Sequence, residues 1–121
     1  MNSLDASEIE LAAHAEGDPA HPGSRRVVVS VNAADLRLEQ QNNRRVGMLN
    51  TAFRLESSNS NQEKTTSIRI DISEEQYRAA LKTGFLFDEP IPNVPPGSRL
   101  RIVVQDQVTG LAGSLWLPFQ N

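Results

Sequence analysis

Apolar and polar residues alternate with a period of two along most of this chain. In "VGMLNTAFRLESS", Leu49, Thr51, Phe53 and Leu55 share one parity, and Asn50, Ala52 and Arg54 share the other. Such alternation marks a strand with one face buried and one in water. The same pattern sets Val27, Val29 and Val31 against Ser30 and Asn32, and Ile68, Ile70 and Ile72 against Arg69 and Asp71. Near the C-terminus, Leu100, Ile102 and Val104 alternate with Arg101, Val103 and Gln105. Leu115, Leu117 and Phe119 then alternate with Ser114, Trp116 and Pro118. Asp106 can accept hydrogen bonds from turn amides and Gly110 can take a positive φ, so 99–119 reads as a hairpin.

One segment departs from this period. In "SEEQYRAALKTG", Ser73 is an N-cap, Gln76 completes a capping box, and Glu74 and Glu75 suit the positive end of a helix. Tyr77, Ala80 and Leu81 make a helical stripe and Gly84 a stop, so a short helix is predicted near 74–82. Ile9 and Leu11 alternate with Glu8 and Glu10, which suits a short first strand, with a helical turn as the alternative. Gly17, Pro19, Pro22 and Gly23 then form a loop. "QQNNRR" (40–45) reads as a polar turn and "SSNSNQEK" (57–64) as an exposed connection. In "FLFDEPIPNVPPGS", Phe85 and Phe87 share a face before the prolines end pairing.

These elements predict a mainly β fold: an antiparallel two-sheet sandwich, immunoglobulin-like, with about seven strands and one short helix. An open barrel is the main alternative. Residues 1–24 form an N-terminal segment able to hold a first strand and a Pro/Gly loop, and 25–121 form the sandwich domain.

Composition narrows the partners. The chain has 121 residues, a net charge of −3 and no cysteine. The acidic balance argues against nucleic acid, which needs a concentrated basic surface. Disulfides and thiolate metal sites are excluded. No apolar run approaches the length of a membrane span.

Several clusters invite a chemical reading, and each has a plainer one. Asp71, Ser73 and Glu75 in "DISEE" partly match the DxSxS cation motif of von Willebrand A domains. However, Glu75 replaces a serine, Asp71 lies on the outward parity, and Ser73 is wanted as a helix cap. His14, Glu16, Asp18 and His21 are acceptable zinc ligand types, without zinc-site spacing. No G-x-S-x-G surrounds Ser114. Asp88 and Glu89, adjacent on a strand, point to opposite faces and cannot form a glycosidase pair. No catalytic residue, cofactor or metal is therefore predicted. Trp116, out of phase with Leu115 and Leu117, faces away from the core, where it can stack on a ligand or be covered by the N-terminal segment, the favoured alternative.

The stretch "PPGSRLRIVVQDQVTGLAGSLWLPF", together with "DLRLEQQNNRRVGMLNTAF" and "IDISEEQYRAAL", resembles the C-terminal β-rich region of secreted, mainly acidobacterial, VWFA-related proteins. Arg99, Leu100, Arg101, Asp106, Gly110, Gly113 and Ser114 carry the match. The resemblance implies export to the cell envelope or beyond, and a role as an accessory module. The A-type domain and its metal chemistry are not in this chain. The expected function is a non-enzymatic module that docks to a neighbouring domain or another surface protein. The alternative is a carbohydrate-binding module of a secreted hydrolase, with Trp116 or Tyr77 as the stacking surface. A hydrolase using His14 or His21 is the weakest reading.

Overall fold

The computed structural model describes residues 8–58 and 61–119. Two antiparallel sheets pack face to face around one apolar layer, as the alternation requires. The smaller sheet has the order β1 (Leu11–Gly17), β2 (Arg25–Val31), β6 (Phe85–Ile91). The larger is built on β4 (Arg44–Glu56). Along one side of it β5 (Asn61–Ser73) pairs over the whole length. Its other side is shared end to end by β3 (Glu39–Gln41) and β7 (Arg99–Asp106), and β8 (Ala112–Pro118) pairs with β7. Helix α1 (Glu74–Thr83) carries the chain from β5 across to β6.

The parity expected for each long strand is the one observed. Val27, Val29 and Val31 from β2 meet Leu49, Phe53, Leu55, Leu100, Ile102 and Val104 from the larger sheet, all buried. Phe87 of β6 meets Phe53 edge-on, with ring centroids 6.4 Å apart. From β5 only Ile70 is fully buried, while Ile68 and Ile72 pack at the margin. That strand therefore lies at the rim of the sandwich.

The helix forms where its caps place it. Ser73 Oγ accepts from the Gln76 amide and Gln76 Oε1 accepts from the Ser73 amide, which closes the capping box. None of its residues is fully buried, and Leu81, expected on the packed stripe, is 42% exposed. Ten residues with only Tyr77, Ala80 and Leu81 on one stripe are too little to seat a helix on a sheet, so α1 acts as a connector.

Three local expectations are corrected, and the turn expected at 40–45 is narrowed to two residues. "SSNSNQEK" is no long connector, because β5 already begins at Asn61 and pairs with Glu56. Its polar residues suit a strand at the rim, with one face of its hairpin in water. In "QQNNRR", Asn42 and Asn43 both take positive φ, 50° and 64°, between β3 and β4. Two such residues make the two-residue turn whose twist matches a hairpin. Pro90 does not end pairing but sits opposite Arg26 in β6. An edge strand tolerates proline on the side where no partner needs its amide. The first strand starts at Leu11, and Ile9 instead plugs the core beside β8.

Ile9 needs a particular neighbour. A Cβ on Gly113 would stand 2.0 Å from the Ile9 carbonyl oxygen, so only glycine admits this close approach. The amides of Glu8 and Ile9 donate to the Ala112 carbonyl, and the Ala112 amide donates to Glu8 Oε1. The N-terminal segment thus caps the start of β8.

Candidate functional site

Trp116 and Tyr77, the aromatics expected at an interaction surface, are held far apart. Trp116 lies on the outer face of the larger sheet, in a row with Arg101 and Arg54. Tyr77 lies on α1 beside Arg45, nine positions earlier along β4, which is about 30 Å of extended strand. No single ligand of modest size reaches both.

Each ring is also capped by an arginine of the chain itself. The Arg99 guanidinium stands 4.1 Å from the Trp116 ring centroid and Arg101 stands at 5.6 Å. Arg99 is steered there by Glu56, which its Nη2 meets at 3.3 Å. The Arg45 guanidinium lies 4.4 Å from the Tyr77 centroid while its Nε donates to Glu74 Oε1 at 2.7 Å. Trp116 is half-buried, and among the described residues its ring is covered by β7 arginines. The N-terminal segment expected over it lies, at Ile9, on the opposite face of β8, while residues 1–7 fall outside the described residues.

The acidic clusters are engaged in local structure. Asp71 Oδ1 accepts from Arg44 Nε at 2.6 Å on the outer face, and this hydrogen bond holds the carboxyl below its usual range against a smaller opposing desolvation. Ser73 caps α1. His14 and Glu16 meet at 3.0 Å on β1, whereas His21 meets Asp18 at 3.0 Å in the following loop. The His21 hydrogen bond lowers the Asp18 pKa. Among the described residues no three His, Cys, Asp or Glu side chains converge on one point.

A cleft of about 750 Å³ opens between the β1–β2 loop and β6 and is lined by Asp18, His21, Arg25, Arg26, Lys64 and Asp88. Most of its charged side chains are engaged within the chain. Arg26 pairs with Asp88, His21 with Asp18, and Lys64 with Glu89. Arg25 donates to the Ser24 carbonyl. The adjacent carboxylates divide as the alternation requires, Asp88 outward to Arg26 and Glu89 inward to Lys64, which reaches across from β5. The Glu89 side chain is 10% exposed and that of Lys64 60%, so the pair closes the rim between the sheets.

Asp106 has a larger task than a turn. Its Oδ1 accepts from the Val108 amide at 2.9 Å, as a turn carboxylate does, while Oδ2 accepts from the Arg37 amide at 2.7 Å. One buried side chain thus pins the β7–β8 turn to the extended segment entering β3. Sequence spacing carries no signal for the second bond, whose partners lie 69 residues apart.

The surface left unsatisfied is a strand edge. β8 is capped at its start by Glu8 and Ile9, and β6 carries Pro90, which has no amide to offer. β1 is seven residues long. By contrast β5 runs for 13 residues without proline or glycine, and among the described residues only β4 pairs with it. Its far side has no strand partner among the described residues, and an unpaired edge of this kind offers backbone donors and acceptors to another strand, although Arg44 Nη2 donates to the Asp71 carbonyl. No protein family, curated protein or solved structure matches the chain.

Proposed function

We propose that this chain is a non-catalytic interaction module that docks to protein through its open sheet edge. The carrying observation is β5, paired on one side over 13 residues and open on the other among the described residues. An exposed edge offers main-chain hydrogen bonds to an incoming strand, and the side chains on alternate positions select it. The engaged charges of the cleft beside the β1–β2 loop and the arginine-capped Trp116 leave this edge as the surface most in need of a partner.

In this reading the fold is immunoglobulin-like. What supports it is the order β1-β2-β6 facing β5-β4-β7-β8, which admits an assignment to A, B and E over C′, C, F and G with β3 as an addition. The module packs beside, or extends, an adhesion-type protein related to the VWFA proteins, at the cell surface or outside the cell. The support for that setting is the resemblance carried by Arg99 to Ser114. The partner is a neighbouring domain of the parent polypeptide or another surface protein.

The test is calorimetry with the neighbouring region of the parent polypeptide supplied as a separate chain, beside a panel of soluble polysaccharides. Binding to the protein region, with increased amide protection along β5, is the expected result. Sugar binding lost in Trp116→Ala, without affinity for the protein region, would overturn the reading in favour of a carbohydrate-binding module.

A further inference from the structure

The charges along β5 select a particular partner. Its outward-facing row runs Asn61, Glu63, Thr65, Ser67, Arg69 and Asp71, paired on β4 with Glu56, Arg54, Ala52, Asn50, Met48 and Val46. Asp71 is taken by Arg44, and on the inner row Lys64 is taken by Glu89. Glu63 and Arg69 form no salt bridge among the described residues, although the Arg69 charge adds to Arg44 in lowering the pKa of Asp71, and both are exposed. They carry opposite charge and stand three residues either side of Thr66.

That symmetry fits an antiparallel copy of the same strand. We infer that the strand received by β5 is β5 of a second copy of this chain, with the two-fold axis at Thr66. The inference rests on the proposed reading of β5 as a docking edge and names its occupant. In this register each Glu63 faces the Arg69 of the other copy, twice over, and each Thr65 faces a Ser67, a hydroxyl pair that suits cross-strand contact. Asn61 faces Asp71, so no like charges meet. The paired stretch, 61–71, stops short of α1, which starts at Glu74.

Competing registers are worse. Moving the axis to Ser67 sets Glu63 against Asp71, two carboxylates face to face. Moving it to Thr65 leaves both Glu63 and Arg69 opposite uncharged residues. A slip of one residue in the pairing turns the outer rows to opposite faces, and parallel pairing in register stacks like on like. The interface is isologous, so it closes at two copies and joins the two larger sheets into one.

Sedimentation of the whole chain across concentration, with Arg69→Glu and Glu63→Arg prepared separately, tests this. The native chain should self-associate as its concentration rises, and each single variant should do so at least about tenfold more weakly, since both symmetric pairs become repulsive. Mixed in equal amounts, the two variants should associate with each other, because the two acidic positions of one chain then face the two basic positions of the other. Melting curves check that each variant is folded. A native chain that remains monomeric to about millimolar concentration, association that survives both substitutions, or a mixture no stickier than its parts each overturns the inference. A monomer that still binds the neighbouring region of its parent polypeptide refutes the second-copy partner alone and leaves the docking function standing.

Discussion

At the scale of single residues, stability concentrates in side chains that serve both sheets. Phe53 fills the centre of the core and stacks edge-on against Phe87 across the layer. Phe53→Ala should cost about 3–5 kcal/mol, read as a lowered urea midpoint, whereas Ala52→Ser on the outer face should be nearly silent. Asp106 is buried with both oxygens engaged, so Asp106→Ala orphans the Arg37 and Val108 amides and should cost about 2–3 kcal/mol in the same measurement. Asp71 and Asp18 both have lowered pKa values, and Asp71 is the one whose partner lies on another strand. Arg44 lowers its folded pKa, so the stability it adds is fully present above the unfolded value of about 3.9 and is lost as pH falls through the folded one. Asp71→Asn removes that increment, and its acid-unfolding curve below about pH 4 should be flatter than that of the native chain.

At the scale of elements, two short motifs hold the chain ends of β5 and β7. The cap at Ser73 stops β5 and starts α1. Ser73→Ala should lower stability by about 1 kcal/mol and Ser73→Asp should restore most of it, measured by thermal melting. The β7–β8 turn depends on Gly110, which has φ of 76° and donates its amide to the Asp106 carbonyl. Nothing lies within 4 Å of a Cβ placed there, so a side chain at this position is disfavoured by backbone strain alone. Gly110→Val should therefore destabilise by more than about 1 kcal/mol while Gln107→Ala stays near neutral, a contrast that separates turn geometry from crowding. At Gly113 the reverse holds, because the obstacle is the Ile9 backbone.

Across the whole molecule the sheets are joined by pairings distant in sequence. β2 pairs Arg25 with Ile91 and Val31 with Phe85, so the smaller sheet cannot close until most of the chain has been brought together. Folding of such topologies is slow, and stopped-flow refolding should show a main phase between milliseconds and seconds. The same topology explains why β5 lies open. Its loop through α1 returns the chain to the other sheet, and no later strand comes back to cover it among the described residues.

The sequence by itself determined the faces and the punctuation. Alternation at 27–31, 49–55, 68–72 and 99–119 placed the buried row of each long strand, because a pleated backbone turns successive side chains to opposite sides. Ser73, Gln76, Gly84 and Gly110 marked the helix ends and the last turn through steric and hydrogen-bonding rules that act within a few residues. Only the tertiary structure decided what depends on neighbours far along the chain. Pro90 belongs to a strand because β6 is an edge, and Lys64 belongs to one because β5 pairs with β4 from Asn61 onward, which sets Lys64 opposite Phe53 and within reach of Glu89. Trp116 became a stacked ring beneath Arg99 when β7 was laid beside β8, and Asp106 acquired Arg37 when the turn met the segment entering β3. Local pattern sets which way a side chain points, but register between distant strands sets what it meets, and an open edge exists only once every other strand has found its place.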